Sequence, residues 1–274
     1  MPETTARTAD EPVVRALRTE WDALTGLLSG LDDAQWSAVT CLPGWEVRDV
    51  VAHLVGTEAM LSGEEAPPSD VDVHALPHVH NDLAARNELW VRALRSETPS
   101  ALLDRFRDVT GRRADALAAM TRADFGAPSW TPAGEGTYRQ FMAIRVFDCW
   151  LHEQDIRDAV GQPGHETGPC AEAALDRVVD ALGYVVAKRA GAPAGTAVTF
   201  ELTGPVRRTV QVQVDARARV VDCLDRPATA RLTMSSNLFV RLAGGRVDAA
   251  GQDVAVDGDV DLGRRVLENL AFTP

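Results

Sequence analysis

Lysine is almost missing from this chain of 274 residues: Lys188 is the only one, and arginine supplies every other cationic side chain. That usage suggests a high-GC genome and carries no mechanism. Positive charge is also short overall. The formal net charge of −12 argues against a nucleic-acid or anionic-membrane partner, because phosphate binding needs clustered positive charge. No apolar run reaches membrane-spanning length. The opening MPETTARTADEP has neither the basic n-region nor the apolar h-region of a signal peptide, so it reads as a short disordered lead-in to a cytoplasmic protein. The four cysteines, Cys41, Cys149, Cys170 and Cys223, show no CxxC spacing and are expected to be reduced and mostly buried. No G-x-S-x-G, P-loop or G-x-G-x-x-G stands between a strand and a helix. Serine hydrolase, NTPase and Rossmann dehydrogenase readings lose their main support.

What is present divides near residue 165. All six tryptophans, Trp21, Trp36, Trp45, Trp90, Trp130 and Trp150, precede residue 151, which suggests two different cores. Apolar residues at helical spacing predict long helices over roughly 12–29, 45–61, 79–95, 99–121 and 137–160, with breaks at LPGW, GEEAPPSD, SETPS and TPAGEG. An antiparallel bundle of about four long helices packs them economically. After GQPGHETGP another helix is expected near 171–190. The period then becomes alternating: Val210, Val212 and Val214, then Ala230, Leu232 and Met234, mark half-buried strands. AVTFELTG and ARVVDC are expected to add two more, with short helices near 236–243 and 260–270. The fold class is α+β: a helical bundle over 1–165 and a small α+β domain over 166–274.

The stretch FDCWLHEQDIRDAV, 147–160, carries the chemistry. On a helical wheel Phe141, Ile144, Leu151 and Ala159 fall within about 60° of Asp148. His152 and Asp155 share that apolar stripe. Burying a carboxylate calls for protonation, an ion pair or a metal. Asp148 and His152, one turn apart, can reach a single ion, and His53 on the 45–61 helix is the best candidate for a third ligand. Such a His, His, carboxylate set leaves an open position, as in catalytic zinc sites, with Asp155 placed to orient a ligand from behind. The plainer alternative stands beside it: Asp148 pairs with an arginine such as Arg145, and His152 is a satisfied core histidine. Cys149 points about 100° from Asp148 and reads as a core thiol. His74, His78 and His80 lie in a Pro-containing segment and read as solvent-facing or capping, with His80 and its neighbour Asn81 kept as candidate pocket residues.

LPGWEVRDVVAHLVG and RVFDCWLHEQDIRDAVGQPG, together with HVHNDLAARNELW and TPAGEGTYRQF, resemble the maleylpyruvate isomerase family of mycothiol-dependent enzymes over residues 12–163. The resemblance implies a DinB-like four-helix bundle and a divalent metal, most often zinc, held by His53, Asp148 and His152. The family pattern has glutamate where this chain has Asp148. ATARLTMSSNLFVRLAGGR and VDGDVDLGRRVLENL resemble the small sterol-carrier-like domain that follows the bundle. In such two-domain members an arginine from that domain closes over the site, and Arg241 and Arg246 are the candidates. The implied function is a mycothiol-dependent isomerase or S-transferase in which a metal-held thiolate attacks a small electrophile. Two other classes remain: a hydrolase activating water at the same site, and a non-catalytic carrier of an apolar ligand.

Overall fold

A computed structural model describes residues 11–273. The opening stretch read as a disordered lead-in lies, up to Asp10, outside the described residues. The chain divides into two compact units, the first ending at Gly164 and the second running from His165 to Thr273. Among the described residues no helix is long and apolar enough to cross a membrane.

The first unit contains α1 (Pro12–Ser29), the short α2 (Asp33–Trp36), α3 (Val47–Leu61), α4 (Asp82–Leu94), α5 (Pro99–Ala119), the short α6 (Arg122–Gly126), a hairpin of β1 (Pro128–Thr131) and β2 (Gly134–Thr137), and α7 (Tyr138–Val160). Local chemistry sets their ends. Pro12 and Pro99 occupy first-turn positions, where a missing N–H costs nothing. Asn81 caps α4 by accepting from the Ala84 amide at 2.9 Å. Thr137 and Gln140 form a reciprocal capping box on α7, and Gly161, at φ 67°, closes its other end in the left-handed region. Four helices form a closed ring: α1 packs on α7 and α5, and α3 packs on α5 and α7, while α4 lies against α3. Leu17, Leu24, Leu54, Phe106, Leu117 and Met142 fill the interior.

Helix α7 differs from the expected stripe. From Arg145 to Ile156 every residue except Asp148 is buried, whereas Phe141, Ile144 and Ala159 keep partial exposure. Over those turns it is walled by α1 and α3, and burial on nearly every side replaces a single buried face. The expected TPAGEG break is instead the turn of the β1–β2 hairpin, with Thr131 opposite Gly134. Cross-strand pairing supplied what four-residue strands with glycines do not advertise.

In the second unit, α8 (Pro169–Tyr184) runs into a π-helical turn at Val185–Arg189. Five strands follow: β3 (Ala197–Thr203), β4 (Arg208–Val214), β5 (Ala218–Val221), β6 (Ala230–Ser235) and β7 (Ala255–Gly258), in the order β5-β4-β3-β6-β7. The central pair β3–β6 is parallel and the other pairs are antiparallel. Helices α8, α9 (Ser236–Ala243) and α10 (Val260–Glu268) pack on the sheet. Val210, Val212, Val214, Ala230, Leu232 and Met234 are buried, as the alternation predicts. The sequence reading missed β7, whose AVDG has one apolar β-former. Cys41 and Cys223 are exposed, so of the four cysteines only Cys149 and Cys170 meet the expectation of burial.

Candidate metal centre

Helix α3 brings His53, and α7 brings Asp148, His152 and Asp155, to the line where these two helices pack. Both histidines are buried, at 5% and 6% exposure, while the Asp148 side chain keeps 29%. His53 Nε2 lies 3.4 Å from Asp148 Oδ2. His152 Nε2 lies 3.7 Å from Asp148 Oδ1. The two imidazole rings meet edge to face at 4.8 Å between centroids. One ligand atom from each of the three residues falls within 4.8 Å of the others.

The donor set fits a divalent ion. Ligands about 2.0–2.2 Å from a tetrahedral ion stand roughly 3.3–3.6 Å apart; here Asp148 faces His53 through Oδ2 and His152 through Oδ1, at 3.4 and 3.7 Å. His152 Nδ1 lies 3.0 Å from Asp155 Oδ2. A carboxylate there accepts a hydrogen bond from Nδ1–H and leaves Nε2 with a free lone pair, the usual support of a metal-binding histidine. Burial, ahead of the opposing attraction of Asp148, holds His53 below its ordinary pKa and therefore neutral at physiological pH. Its Nδ1 is buried without a hydrogen-bond partner. Burial alone would raise the Asp148 carboxyl, but Arg145, then His152 and His53, outweigh it and hold the group well below the usual carboxylate range.

The plainer alternative is present too. Arg145 Nη1 donates to Asp148 Oδ2 at 2.5 Å. A carboxylate has two oxygens, so the arginine pair and a metal position do not exclude one another. The same guanidinium donates to Glu58 Oε1 through Nε at 3.1 Å and Nη2 at 2.9 Å, and Arg113 Nε donates to Glu58 Oε2 at 3.1 Å. Burial pushes the Cys149 thiol well above its usual value despite Arg145, which suits a core thiol and not a nucleophile.

Sequence reasoning missed the surround. Trp45, next to Gly44 at φ 81°, tilts its ring toward His53 and His152, at 5.5 and 6.4 Å. Its indole N–H donates to the buried Glu88 at 3.2 Å, which also takes His78 Nε2 at 3.2 Å and pairs with Arg92 at 3.1 Å. His78 is thus half-buried and partnered, not merely solvent-facing. Cys41 Sγ donates to Asp155 Oδ1 at 3.3 Å. Glu58 carried a usable signal: it extends the apolar row Val47, Val50, Leu54 of α3, the same anomaly that singled out Asp148. His80 and Asn81 are exposed, and Asn81 acts as the α4 cap. His74 is exposed. Arg241 lies in the last turn of α9, and Arg246 donates to the Gly244 carbonyl at 2.7 Å, both within the second unit.

Residues 17–157 match the model of the mycothiol maleylpyruvate isomerase N-terminal domain, and residues 172–265 match that of the MDMPI C-terminal domain. Two curated relatives, uncharacterized proteins from Mycobacterium tuberculosis strains CDC 1551 and H37Rv, are each 27% identical over 158 residues. The match covers 55% of this chain and 57% of theirs, so it spans little more than half the length of these relatives. A crystal structure of the mycothiol-dependent maleylpyruvate isomerase aligns over 90% of this chain and 93% of that one, with TM-score 0.56 and 19% identity. A mutant of the same enzyme aligns over the same shares at TM-score 0.53. At that identity the likeness is one of fold, a DinB-like bundle followed by a small α+β domain. With the N-terminal domain model spanning half of its residues and the companion model most of the remainder, the chain belongs to the mycothiol maleylpyruvate isomerase family.

Proposed function

We propose that this chain is a metal-dependent thiol enzyme of the cytoplasm, a mycothiol-dependent isomerase or S-transferase acting on a small electrophile. The observation that carries the reading is the convergence of His53, Asp148 and His152 on one point, with Asp155 behind His152. These three residues would hold the ion, zinc being the first choice for such a set. When bound, a divalent cation there favours the thiolate form of a thiol over the neutral form, and thiolate is the nucleophile.

The protein's own groups do the rest. Asp155 keeps the proton on His152 Nδ1, so that Nε2 faces the cluster unprotonated. Burial keeps His53 neutral and able to ligate. The Trp45 ring lies over both imidazoles and limits water on that side, while the partial exposure of Asp148 marks the open side. Arg246 and Arg241, with His80 and Asn81, stay proposed as substrate-binding residues on the family resemblance alone.

Elemental analysis of the purified protein beside its His53→Ala variant tests the metal. One divalent ion per chain is expected in the first and a large loss in the second; equal occupancy in both would remove His53 from the ligand set. The thiol is tested in the cobalt-substituted protein. Mycothiol should produce a thiolate-to-cobalt charge-transfer band. A cobalt spectrum unmoved by mycothiol would favour a site that activates water.

A further inference from the structure

Three buried charges outside the ligand set converge on Asp148. Arg113 on α5, Glu58 on α3 and Arg145 on α7 are 4%, 1% and 3% exposed. Each nitrogen of the Arg145 guanidinium has a task. Nε and Nη2 both donate to Glu58 Oε1, Nη2 also reaches Cys149 Sγ at 3.4 Å, and Nη1 donates to Asp148 Oδ2. Glu58 is fixed in turn, because Arg113 holds its other oxygen and is itself engaged by Tyr138 Oη at 3.1 Å. A fork bound at both ends cannot turn without losing one end.

Stability alone is a weak reason for such a network. Buried ion pairs cost so much desolvation that well-packed apolar residues in their place are often as stable or more so. What the network does that apolar residues cannot is aim a carboxylate. Asp148 is the least buried residue between Arg145 and Ile156, so packing holds its rotamer less firmly than those of its neighbours. Its carboxylate lies within reach of Arg145 one turn back on the same helix.

We propose that Arg145, pinned by Glu58, is a positioning residue of the metal centre: it holds Asp148 through Oδ2, the oxygen nearest His53 Nε2, and so keeps Oδ1 turned toward His152 Nε2, setting the carboxylate between the two histidines. This inference rests on the metal reading given above. It gives a site whose carboxylate is already oriented before the ion arrives.

The test measures zinc and cobalt dissociation constants by competition with a chromophoric chelator, well below the melting temperature, and records the visible spectrum of the cobalt form. Arg145→Lys keeps the charge but replaces the rigid planar fork by one ammonium, which cannot hold Glu58 and Asp148 in the same geometry. Its dissociation constant should rise about 10–100-fold, the usual cost of losing a ligand's support, with a changed cobalt spectrum. Glu58→Gln should shift both in the same direction. Val109→Ala, a core truncation on α5, should lower the melting temperature and leave both unchanged. Arg145→Lys and Glu58→Gln binding within twofold of the parent protein, with its spectrum, would overturn the proposal, and if Arg145→Lys does not fold, Glu58→Gln decides alone. A parent protein that takes up no ion would instead sink the metal reading itself, and this inference with it.

Discussion

His53 shows how one side chain ties the candidate site to pH. Burial depresses its pKa in the folded chain, ahead of the opposing pull of Asp148, so near the ordinary histidine value of about 6.5 the unfolded chain takes up a proton that the folded chain refuses. Stability present above that pH is therefore lost as the pH falls through it toward the lower folded value. Asp148, held well below the usual carboxylate range, adds a second loss of the same sign in stronger acid. We predict that the denaturation midpoint of chelator-treated protein falls between pH 8 and pH 5, and that His53→Gln flattens the curve there. An equally steep curve in the variant would assign the acid sensitivity to another group. The grouping of Asp148, His152 and Asp155 was legible because polar residues stood in an apolar stripe, whereas His53 stood at the flank of the stripe of Val47, Val50, Leu54 and Leu61. The contact between His152 and Asp155 was legible as one turn of helix. The pairing of Trp45 with Glu88 was not, since 43 residues separate them.

Helices α3 and α4 illustrate how an element's packing depends on one small residue. A Cβ built on Gly56 would stand 2.4 Å from Trp90 Cβ and Cγ, so the glycine lets the Trp90 side chain of α4 lie directly on the α3 backbone. Alanine is the better helix former by about 1 kcal/mol, but here overpacking in the core works against it and costs about 1–3 kcal/mol. We predict a net loss of melting temperature of a few degrees in Gly56→Ala, read by circular dichroism. A gain would mean that α4 shifts freely, and that the crossing is looser than the distances indicate. Asp49 supports the same junction: buried in the first turn of α3, it receives Nε and Nη2 of Arg95 at 2.8 and 2.9 Å, at the end of α4.

The molecule as a whole divides into two compact units. The first rests on Leu, Val, Phe and Trp side chains of the bundle, and the second on a valine-rich sheet with Phe200 against Phe239 at 5.4 Å between ring centroids. All the proposed ligands belong to the first. An ion at about 100 times its dissociation constant stabilises the structure that binds it by about 2.7 kcal/mol. Hydrogen exchange with and without zinc should therefore show slower exchange for amides of α3 and α7 and little change in β3, β4 and β6. Equal slowing in the sheet would show that the two units open as one.

The sequence by itself determined the two-part α+β plan, nearly every long helix, the alternating strands, and the helices that carry the ligand candidates. Those features follow from local rules: side-chain period, caps and breakers act over a few residues. It also made the polar stripe of α7 conspicuous. Only the tertiary structure decided that α7 is buried on all sides from Arg145 to Ile156, with Asp148 as the opening. Only it brought His53 within 3.4 Å of a carboxylate 95 residues away, closed the β1–β2 hairpin, and joined Arg113, Glu58 and Arg145 behind that carboxylate. The physical reason is that a helix fixes where its own side chains point, whereas the distance between side chains on different helices is set by how the ring of α1, α3, α5 and α7 packs.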